Sequence, residues 1–370
     1  AGLFIRPTDK MILFVCYGGR KYGDNVKPIY LHMLEDNRFR EWKFVWAFRN
    51  INEFELADSK RTIKIQIDTP AYYYYVLKSK CWITNVSVQR GLNFKRKDIL
   101  YVNTWHGVPL KLIGKCSKSA HLNNVEAFDL MFSEGMYDVQ IYQKAFDISE
   151  TQIRVTGYPR NDQMFSPNNE ARSRVRKKYK IEEGDTLLLY APTYRDYRKN
   201  ESGGFTFEAK LSPSVFRELL GEGYKMMVRT HGAIEDNSAG SDFIDVSDYP
   251  DVEDLMLASD ILISDYSGII FDYSLLGKPI LCYTYDLAEY ERERGLFVDL
   301  PAFLPFFMCE TEEALYRKIK TIDKQECLKQ DVQFQEQCGL IRINATHNAV
   351  NAIYEEMNKH SDYVNMKRGK

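Results

Sequence analysis

The sequence predicts an α/β protein of two domains, each built around a parallel β-sheet with helices on both faces. Short, continuous apolar runs recur along the chain, and such runs are typical of strands that are buried on both faces of a sheet. Segments with a helical pattern separate these runs, and this alternation is typical of doubly wound sheets. The 370 residues are enough for two domains of about 150 residues each.

In the first half of the chain, apolar runs predict the strands of one sheet. These strands are predicted over residues 11–17, 44–48, 62–67, 82–86, 99–104, 128–133 and 153–156. Helices are predicted over residues 28–35 and 71–80, and from the end of the sixth strand to residue 146. The turn at 157–160 ends this half, and the charged segment 166–180 is predicted to be a linker and the first helix of a second domain. The predicted domains are therefore residues 1–165 and 166–370.

The second half repeats the alternation. Strands are predicted over residues 187–190, 224–228, 243–246, 261–264 and 280–283, and helices over residues 213–220, 252–258 and 267–276. Residues 200–204 are predicted to form a loop, and a closing helix is predicted over residues 333–359. Because ligands of such sheets lie beyond the carboxyl ends of the strands, polar residues that follow strands are the candidate site residues.

Composition and cysteine usage indicate a globular protein of a reducing compartment. Hydrophobic residues make up 44% of the chain and charged residues 28%, which excludes a disordered chain, and the net charge of -2 gives no overall attraction for polyanions. The seven cysteines form no C-x-x-C pair, and we expect reduced thiols. The start of the chain shows no signal-peptide pattern. No apolar run reaches about 18 residues, so we expect no membrane span.

The sequence offers no signature of a metal site or of a hydrolase. The six histidines lack the spacing of zinc ligands, and no G-x-S-x-G motif is present. Two basic clusters, residues 95–97 and 172–180, fit either solvated surface or contact with anionic lipid head groups. We expect no metal.

The segment Thr104-Trp105-His106-Gly107-Val108-Pro109-Leu110-Lys111 directly follows a predicted strand. His106 therefore stands at the carboxyl end of that strand, before a turn that Gly107 and Pro109 favour. A histidine in this position can take up a proton near neutral pH. The alternative is a structural histidine that packs beside Trp105.

Cationic and hydroxyl side chains follow two predicted strands of the second half. Arg229 and His231 follow one strand, and an arginine fork beside a protonated histidine suits a diphosphate; a surface ion-pair cluster is the alternative. Thr193 and Arg195 follow another strand and are candidates for phosphate or acceptor contact, although an ordinary strand exit has the same pattern.

The segment Ser264-Asp265-Tyr266-Ser267-Gly268 joins a predicted strand to a predicted helix. Ser267 can cap that helix, whose first amides then face an anion, and Asp265 can orient the turn or bind a donor hydroxyl. A plain capped helix is the alternative. In the first half, residues 18–23 match a dinucleotide-binding loop only loosely, and Asp24 and Asn25 beside them are candidates for an acceptor site.

The motifs follow one another in a fixed order through most of the chain, and this order is specific where each single motif is weak. They are residues 23–27, 72–85, 104–111, 157–162, 191–196, 229–232, 264–279 and 290–297. The set resembles the CDP-glycerol glycerophosphotransferase family, the teichoic acid primases and polymerases. The resemblance implies the GT-B architecture, in which two Rossmann-like domains, an N-terminal acceptor domain and a C-terminal CDP-donor domain, face a central cleft.

The resemblance also implies roles for individual residues. His106 is implied to be the base, with His231 as a second catalytic residue. The residues implied to bind the phosphates or the nucleotide of the donor are Arg229, His231, Ser264, Asp265, Ser267, Gly268, Thr193 and Arg195. The residues implied to bind the acceptor are Asp24, Asn25, Trp105 and Lys111.

The reaction implied by the resemblance is transfer of glycerol phosphate, or a related polyol phosphate, from a cytidine diphosphate donor to a hydroxyl, with release of CMP. CDP-glycerol or CDP-ribitol would be the co-substrate, with no further cofactor. The implied partner is a lipid-linked polymer at the cytoplasmic face of the membrane, where the protein would be peripheral. Residues 300–307 or the basic clusters could provide that membrane contact, no nucleic acid is expected, and an oligomer is compatible with the sequence.

The sequence departs from the family pattern at three places. Family members often carry Thr where Val108 stands and a second Ser where Gly268 stands, and residues 300–307 are apolar where a Pro-Gly-Pro turn is common. These departures bear on the choice of donor and acceptor. Two other functions fit the same residues: a GT-B glycosyltransferase that uses a CMP- or UDP-sugar, and a binding module without catalytic activity.

Overall fold

The computed structural model of the chain describes residues 5–118, 126–166, 170–198, 210–230 and 243–368. Contacts divide the chain into two compact units. The first unit comprises the chain up to His106, the stretch that ends at Asp162, and the chain from Leu340 onwards. The second unit comprises the described residues of two stretches. The first stretch begins at Gly107, and the second runs from Gln163 to Gly339. The predicted loop at 200–204 lies outside the described residues.

The first unit is built on a seven-stranded parallel sheet in the order β3-β2-β1-β4-β5-β6-β7. Its strands are β1 Thr8–Val15, β2 Lys43–Phe48, β3 Thr62–Gln66, β4 Ser79–Thr84, β5 Leu100–Asn103, β6 Leu130–Ser133 and β7 Ile153–Val155. Its helices in this part of the chain are α1 Val26–Glu35, α2 Pro70–Lys78 and α3 Met136–Phe146. The strand order reverses between β1 and β4, so this is the topological switch point of the sheet. All seven predicted strands are confirmed, with shifts of a few residues at their ends.

Burial on both faces explains why the central strands of the first sheet are so apolar. In β1, Ile12 to Val15 are fully buried, and the rings of Phe14 and Trp46 stack with centroids 5.4 Å apart. Helix α2 begins where Thr69 accepts a hydrogen bond from the Tyr72 amide and Pro70 takes the first helical position. Such local signals explain why a segment with four consecutive tyrosines is helical.

The second unit is built on a six-stranded parallel sheet in the order β10-β9-β8-β11-β12-β13. Its strands are β8 Thr186–Tyr190, β9 Tyr224–Val228, β10 Phe243–Asp245, β11 Ile261–Ser264, β12 Ile280–Tyr283 and β13 Phe307–Cys309. Its helices are α4 Ala171–Lys178, α5 Pro213–Leu220, α6 Val252–Ala258, α7 Ile269–Ser274, α8 Leu287–Glu293, α9 Leu300–Phe303, α10 Glu312–Lys320 and α11 Lys324–Cys338. The strand order reverses between β8 and β11, which is the switch point of this sheet.

The segment predicted to be a closing helix is largely helical, but a break divides it into two helices. Residues 333–359 are not one helix: α11 ends at Gly339, whose φ of +60° is the left-handed conformation that glycine adopts readily, and a second helix, α12 (Ala345–Arg368), follows. Val350 and Ile353 of α12 lie in the core of the first unit. The predicted boundaries at 165 and 166 thus differ from the compact units, because the apolar face of α12 packs in the first unit and residues 107–118 pack in the second.

The segments considered for membrane contact have other partners in the structure. Leu300, Leu304 and Phe306 are buried, and Phe303 packs against the ring of Phe271. Five of the arginines and lysines in the two basic clusters form ion pairs with carboxylates: Lys95–Asp129, Arg96–Asp98, Arg172–Asp260, Arg174–Asp254 and Arg176–Asp260. Within the described ranges, none of the helices has both the length and the apolar character that crossing a membrane requires.

The place of α12 leads to a stability prediction. Ile353→Ala should lower the free energy of unfolding by about 2–5 kcal/mol, because a fully buried side chain of the core is truncated. Ile343→Ala is the control, since Ile343 is 56% exposed and its truncation should change the stability by about 0.5 kcal/mol or less. Urea unfolding of both variants measures the difference, and equal effects would contradict the packing of α12 in the first core.

Candidate active site

The switch point of the first sheet brings three loops together at its carboxyl edge. Tyr17 follows β1, Asn85 follows β4 and His106 follows β5. Because all strands of the sheet are parallel, these loops leave the same edge of the sheet, where ligands of doubly wound folds bind. The predicted position of His106 at the carboxyl end of a strand is confirmed.

The imidazole of His106 is oriented by a backbone carbonyl. Its Nδ1 lies 2.8 Å from the carbonyl oxygen of Asn85. A carbonyl oxygen can only accept a hydrogen bond, so Nδ1 carries the hydrogen and the neutral ring keeps its lone pair on Nε2. This arrangement prepares Nε2 to take a proton from a substrate hydroxyl, which is the role of a general base.

The backbone next to His106 is strained. Trp105 has φ +51° and Tyr17 has φ +46°, both in the left-handed region that residues with a side chain rarely adopt. The centroid of the Trp105 ring lies 4.4 Å from that of the His106 ring and 4.7 Å from that of the Phe146 ring. The centroid of the Tyr17 ring lies 5.7 Å from that of His106. Strain of this kind persists only where surrounding contacts enforce it, and it is concentrated at functional sites.

Asn25 supplies contacts that enforce this backbone. Its Nδ2 donates to the carbonyl oxygens of Thr104 at 3.3 Å and Trp105 at 3.2 Å, and its Oδ1 accepts from the Arg160 amide at 3.2 Å. Asn25 is fully buried. The structure therefore speaks against the predicted contact of this side chain with an acceptor, because all of its polar atoms join loops of the protein.

The side chain of Asp24 also forms hydrogen bonds to neighbouring loops of the protein. Its carboxylate accepts from the Tyr17 hydroxyl at 2.6 Å, the Asn25 amide at 2.6 Å and Arg160 Nη1 at 3.3 Å. Burial, followed by the charge of Asp24, raises the pKa of Tyr17 well above its usual value, so Tyr17 stays a neutral donor. Sequence reasoning missed Tyr17, Asn85 and Arg160, although Arg160 and Asn85 lie in motifs that had been recognised. Of the predicted acceptor residues in the first unit, Trp105 remains half-buried beside His106.

The switch point of the second sheet gathers predicted donor residues at the carboxyl ends of β8 and β11. Ser264 Oγ donates to the Ala191 carbonyl at 2.7 Å. The Asp265 carboxylate accepts from the Thr193 amide at 2.7 Å and the Tyr266 amide at 2.6 Å. Ser264 and Asp265 are buried, so they hold the two loops to each other, and the structure speaks against direct nucleotide contact by either side chain.

Arg195 is also engaged inside the protein. Its Nε and Nη2 form a bidentate pair with Asp286 at 2.9 and 2.8 Å, and its Nη1 lies 3.0 Å from Asp265. The guanidinium stacks over the rings of Tyr266 and Tyr290. An arginine bound on its edge and on its face is a brace for the loop after β8 rather than a phosphate ligand. Thr193 Oγ1 is buried and has no hydrogen-bond partner among the described residues.

Arg229, which follows β9, uses part of its guanidinium group for hydrogen bonds within the protein. Arg229 Nη1 donates to the carbonyl oxygens of Val246 at 3.1 Å and Tyr249 at 2.7 Å. These bonds hold the guanidinium at the carboxyl edge of the sheet, and its contact with a diphosphate stays a prediction. His231 lies outside the described residues.

The turn after β11 approaches the backbone of residues 107 and 108. Ser267 Oγ accepts from the Ile269 amide at 3.4 Å, but the residue at the N-cap of α7 is Gly268 and not the predicted Ser267. A Cβ on Gly268 would lie 2.6 Å from the Val108 carbonyl oxygen and 3.2 Å from the Val108 nitrogen. Glycine is therefore required at 268 by close approach, and the two positions that depart from the family pattern, 108 and 268, lie against each other.

No metal centre is formed by the described residues. No group of three or more His, Cys, Asp and Glu side chains in these ranges could hold a metal ion. The cysteines are free thiols, as the sequence predicts.

Comparison with known proteins shows to which family the chain belongs. The profile of the family described as CDP-Glycerol:Poly(glycerophosphate) glycerophosphotransferase matches residues 3–337. The chain belongs to this family. The predicted resemblance is therefore confirmed over nearly the whole sequence.

Curated relatives in the family are named for teichoic acid synthesis. The chain is 28% identical to the teichoic acid glycerol-phosphate transferase of Staphylococcus aureus, over 94% of both proteins. It is 30% identical to the teichoic acid poly(glycerol phosphate) polymerase of Staphylococcus epidermidis, over 85% of this chain but only 46% of that protein. The chain thus spans about half the length of that polymerase.

A solved structure of the family has the same fold. The wall teichoic acid polymerase TagF matches with a TM-score of 0.83 and 27% identity, covering 95% of this chain and 90% of that chain. This match confirms the predicted α/β class with two parallel sheets. A UDP-GlcNAc 2-epimerase from Neisseria meningitidis, 14% identical with a TM-score of 0.54, shares the fold alone. The fold by itself therefore does not select the donor.

The contacts of Asn25 predict the effect of an isosteric change. Asn25→Asp should lower the free energy of unfolding by about 1–3 kcal/mol, because two carbonyl oxygens lose their donor and face a carboxyl group instead. Asn50→Asp is the matched control, since Asn50 is exposed and its Oδ1 only accepts, from the Asn52 amide. Chemical unfolding monitored by tryptophan fluorescence compares the two, and an Asn25 variant as stable as the control would refute this bracing role.

The close approach at Gly268 predicts a second effect. Gly268→Ala should cost about 1–3 kcal/mol, because the new methyl group must displace the Val108 backbone. Gly184→Ala serves as control: its Cβ would meet nothing within 4 Å, and the change should stay within about 0.5 kcal/mol. Thermal unfolding of the two variants tests the difference. Equal midpoints would show that the 107–108 segment moves aside freely.

Proposed function

We propose that the protein transfers glycerol phosphate from CDP-glycerol to a hydroxyl of a polymer acceptor and releases CMP. The observation that carries this proposal is the orientation of His106, whose Nδ1 hydrogen is held by the Asn85 carbonyl at a ligand-binding edge. Membership of the glycerophosphotransferase family supports the nature of the donor. The relatives named for glycerol phosphate include transferases, primases and polymerases.

In the proposed reaction, an acceptor oxygen forms a bond to the phosphorus that carries glycerol. The bond from that phosphorus to the bridging oxygen breaks, and CMP leaves with the bonding electrons. His106 Nε2 takes the proton of the attacking hydroxyl, a contribution of typically about 10²–10⁴-fold. Charge on the phosphate oxygens must be stabilised as the bonds change, and Arg229, His231 and the turn at Ser267 are the proposed groups.

The acceptor that we propose is a lipid-linked teichoic acid or a similar polymer of the cell surface. This proposal rests on relatives that are named for teichoic acid synthesis, and it includes a peripheral place at the cytoplasmic face of the membrane. CDP-ribitol is the second candidate donor, since a poly(ribitol-phosphate) polymerase of Bacillus spizizenii is 28% identical over 61% of this chain.

The rival function is sugar transfer from a CMP- or UDP-sugar by the same fold. Incubating the protein with CDP-glycerol, CDP-ribitol or a UDP-sugar, each with a short lipid-linked acceptor, separates the candidates. Mass analysis of the product should show the addition of glycerol phosphate units and one CMP released for each unit. Addition of a sugar without phosphate would refute the proposal.

The assignment of the base predicts a large loss of rate. His106→Ala should lower the rate of CMP release by about 10²–10⁴-fold, while the Kd for CDP-glycerol changes little, because the base acts on the acceptor proton. His347→Ala is the control, since His347 is exposed and contacts Asn351. Full CMP release by the His106 variant would contradict the assignment.

A further inference from the structure

The chain directly after His106 is built into the second unit. The Leu112 amide donates to the Gly295 carbonyl at 3.0 Å, and the Phe297 amide donates to the Leu110 carbonyl at 2.8 Å. Between these bonds, Lys111 pairs with Leu296 as an antiparallel bridge. Lys111, predicted as an acceptor residue of the first domain, therefore has its backbone fixed in the second unit.

Side chains and glycines hold this segment further. Arg294 Nη1 donates to the Leu112 carbonyl at 2.5 Å and to Ser117 Oγ at 3.1 Å. A Cβ on Gly295, which has φ +77°, would come within 2.6 Å of the Leu112 side chain, and Gly268 leaves equally little space beside Val108. The backbone that carries Lys111 is thus held on both sides.

The charges around Lys111 belong to the switch point of the second sheet. The groups that act on its ammonium are Arg294, Asp196, Asp265 and Arg195. Each of the two carboxylates already has an arginine partner: Arg294 Nε lies 3.0 Å from Asp196, and Arg195 Nη1 lies 3.0 Å from Asp265. Asp196 follows β8 and Asp265 follows β11, so Lys111 lies beside the loops where ligands of this sheet are expected.

The Lys111 ammonium has no direct ion-pair partner among the described residues of this neighbourhood, although Asp196 and Asp265 act on it as opposite charges. Burial, followed by the charge of Arg294, lowers the pKa of its ammonium group. Lys111 is half-buried, and a cation that is partly removed from water without a direct counter-ion is costly. An anionic ligand would supply a direct partner for this ammonium group, and groups with a perturbed pKa are typical of binding sites.

We propose that Lys111 binds the diphosphate of the donor nucleotide, as part of the second unit's site and not of the acceptor site. The inference deepens the proposed function and rests on it for the identity of the nucleotide. A lysine ammonium contacts phosphate oxygens as a point charge and does not need the planar geometry of an arginine.

The test compares Lys111→Met with Lys115→Met in the full chain, by calorimetric titration with CDP. Lys115 is an exposed lysine four residues further along the same segment, which makes it a matched control. Loss of one charge-assisted contact should raise the Kd for CDP by about 10- to 100-fold in the Lys111 variant, with no change in the control. Lys111→Arg should stay within about threefold of the wild type, since it keeps the charge. If Lys111→Met does not fold, Lys111→Gln takes its place.

A steady-state measurement separates donor from acceptor contact. At saturating CDP-glycerol, the KM for the acceptor should be unchanged in the Lys111 variant. An unchanged Kd for CDP, or a raised acceptor KM with normal CDP affinity, would overturn the proposal. If the wild-type protein binds UDP and not CDP, the proposed function fails, and the same variants titrated with UDP still test Lys111.

Discussion

The hydrogen bond from His106 Nδ1 to the Asn85 carbonyl is the interaction on which the rest of the site depends. It determines which ring nitrogen keeps a lone pair, and so whether the histidine can act as a base. The residue before His106, Trp105, is in a left-handed conformation, which is unfavourable for a residue with a large side chain. Asn25 stabilises that conformation by donating to the Thr104 and Trp105 carbonyls.

Many of the charged and polar side chains at the two switch points bond to neighbouring loops and do not face a ligand. Asp24 and Asn25 join the loops after β1, β5 and β7, while Ser264, Asp265 and Arg195 join the loops after β8 and β11. This construction has a chemical use, because groups that stabilise a transition state act best when they are held in place before the substrate arrives. It also leaves few side chains for direct contact, which is why Lys111 stands out.

The sheets and the positions of the site motifs could be predicted from the sequence because both follow from local pattern. Continuous apolar runs indicate buried parallel strands, and a polar residue after such a run, as His106 is, must lie at the ligand-binding edge. The partners of those residues could not be predicted. Whether Asn25 faces a substrate or two carbonyl oxygens depends on long-range packing that leaves no local signal. Gly339 ends a helix, which the spacing of apolar residues alone does not indicate. For Tyr17, the sequence showed only that it lies at the end of a predicted strand.

The protonation of the two nitrogens of His106 is the most direct test of this account. Nitrogen-15 NMR of the protein with labelled histidine, with the His106 signals assigned from the His106→Ala variant, distinguishes a ring nitrogen that carries hydrogen from one that does not. At a pH where the ring is neutral, we expect hydrogen on Nδ1 and none on Nε2. Hydrogen on Nε2 of the neutral ring would contradict the assignment of His106 as the base that receives the acceptor proton.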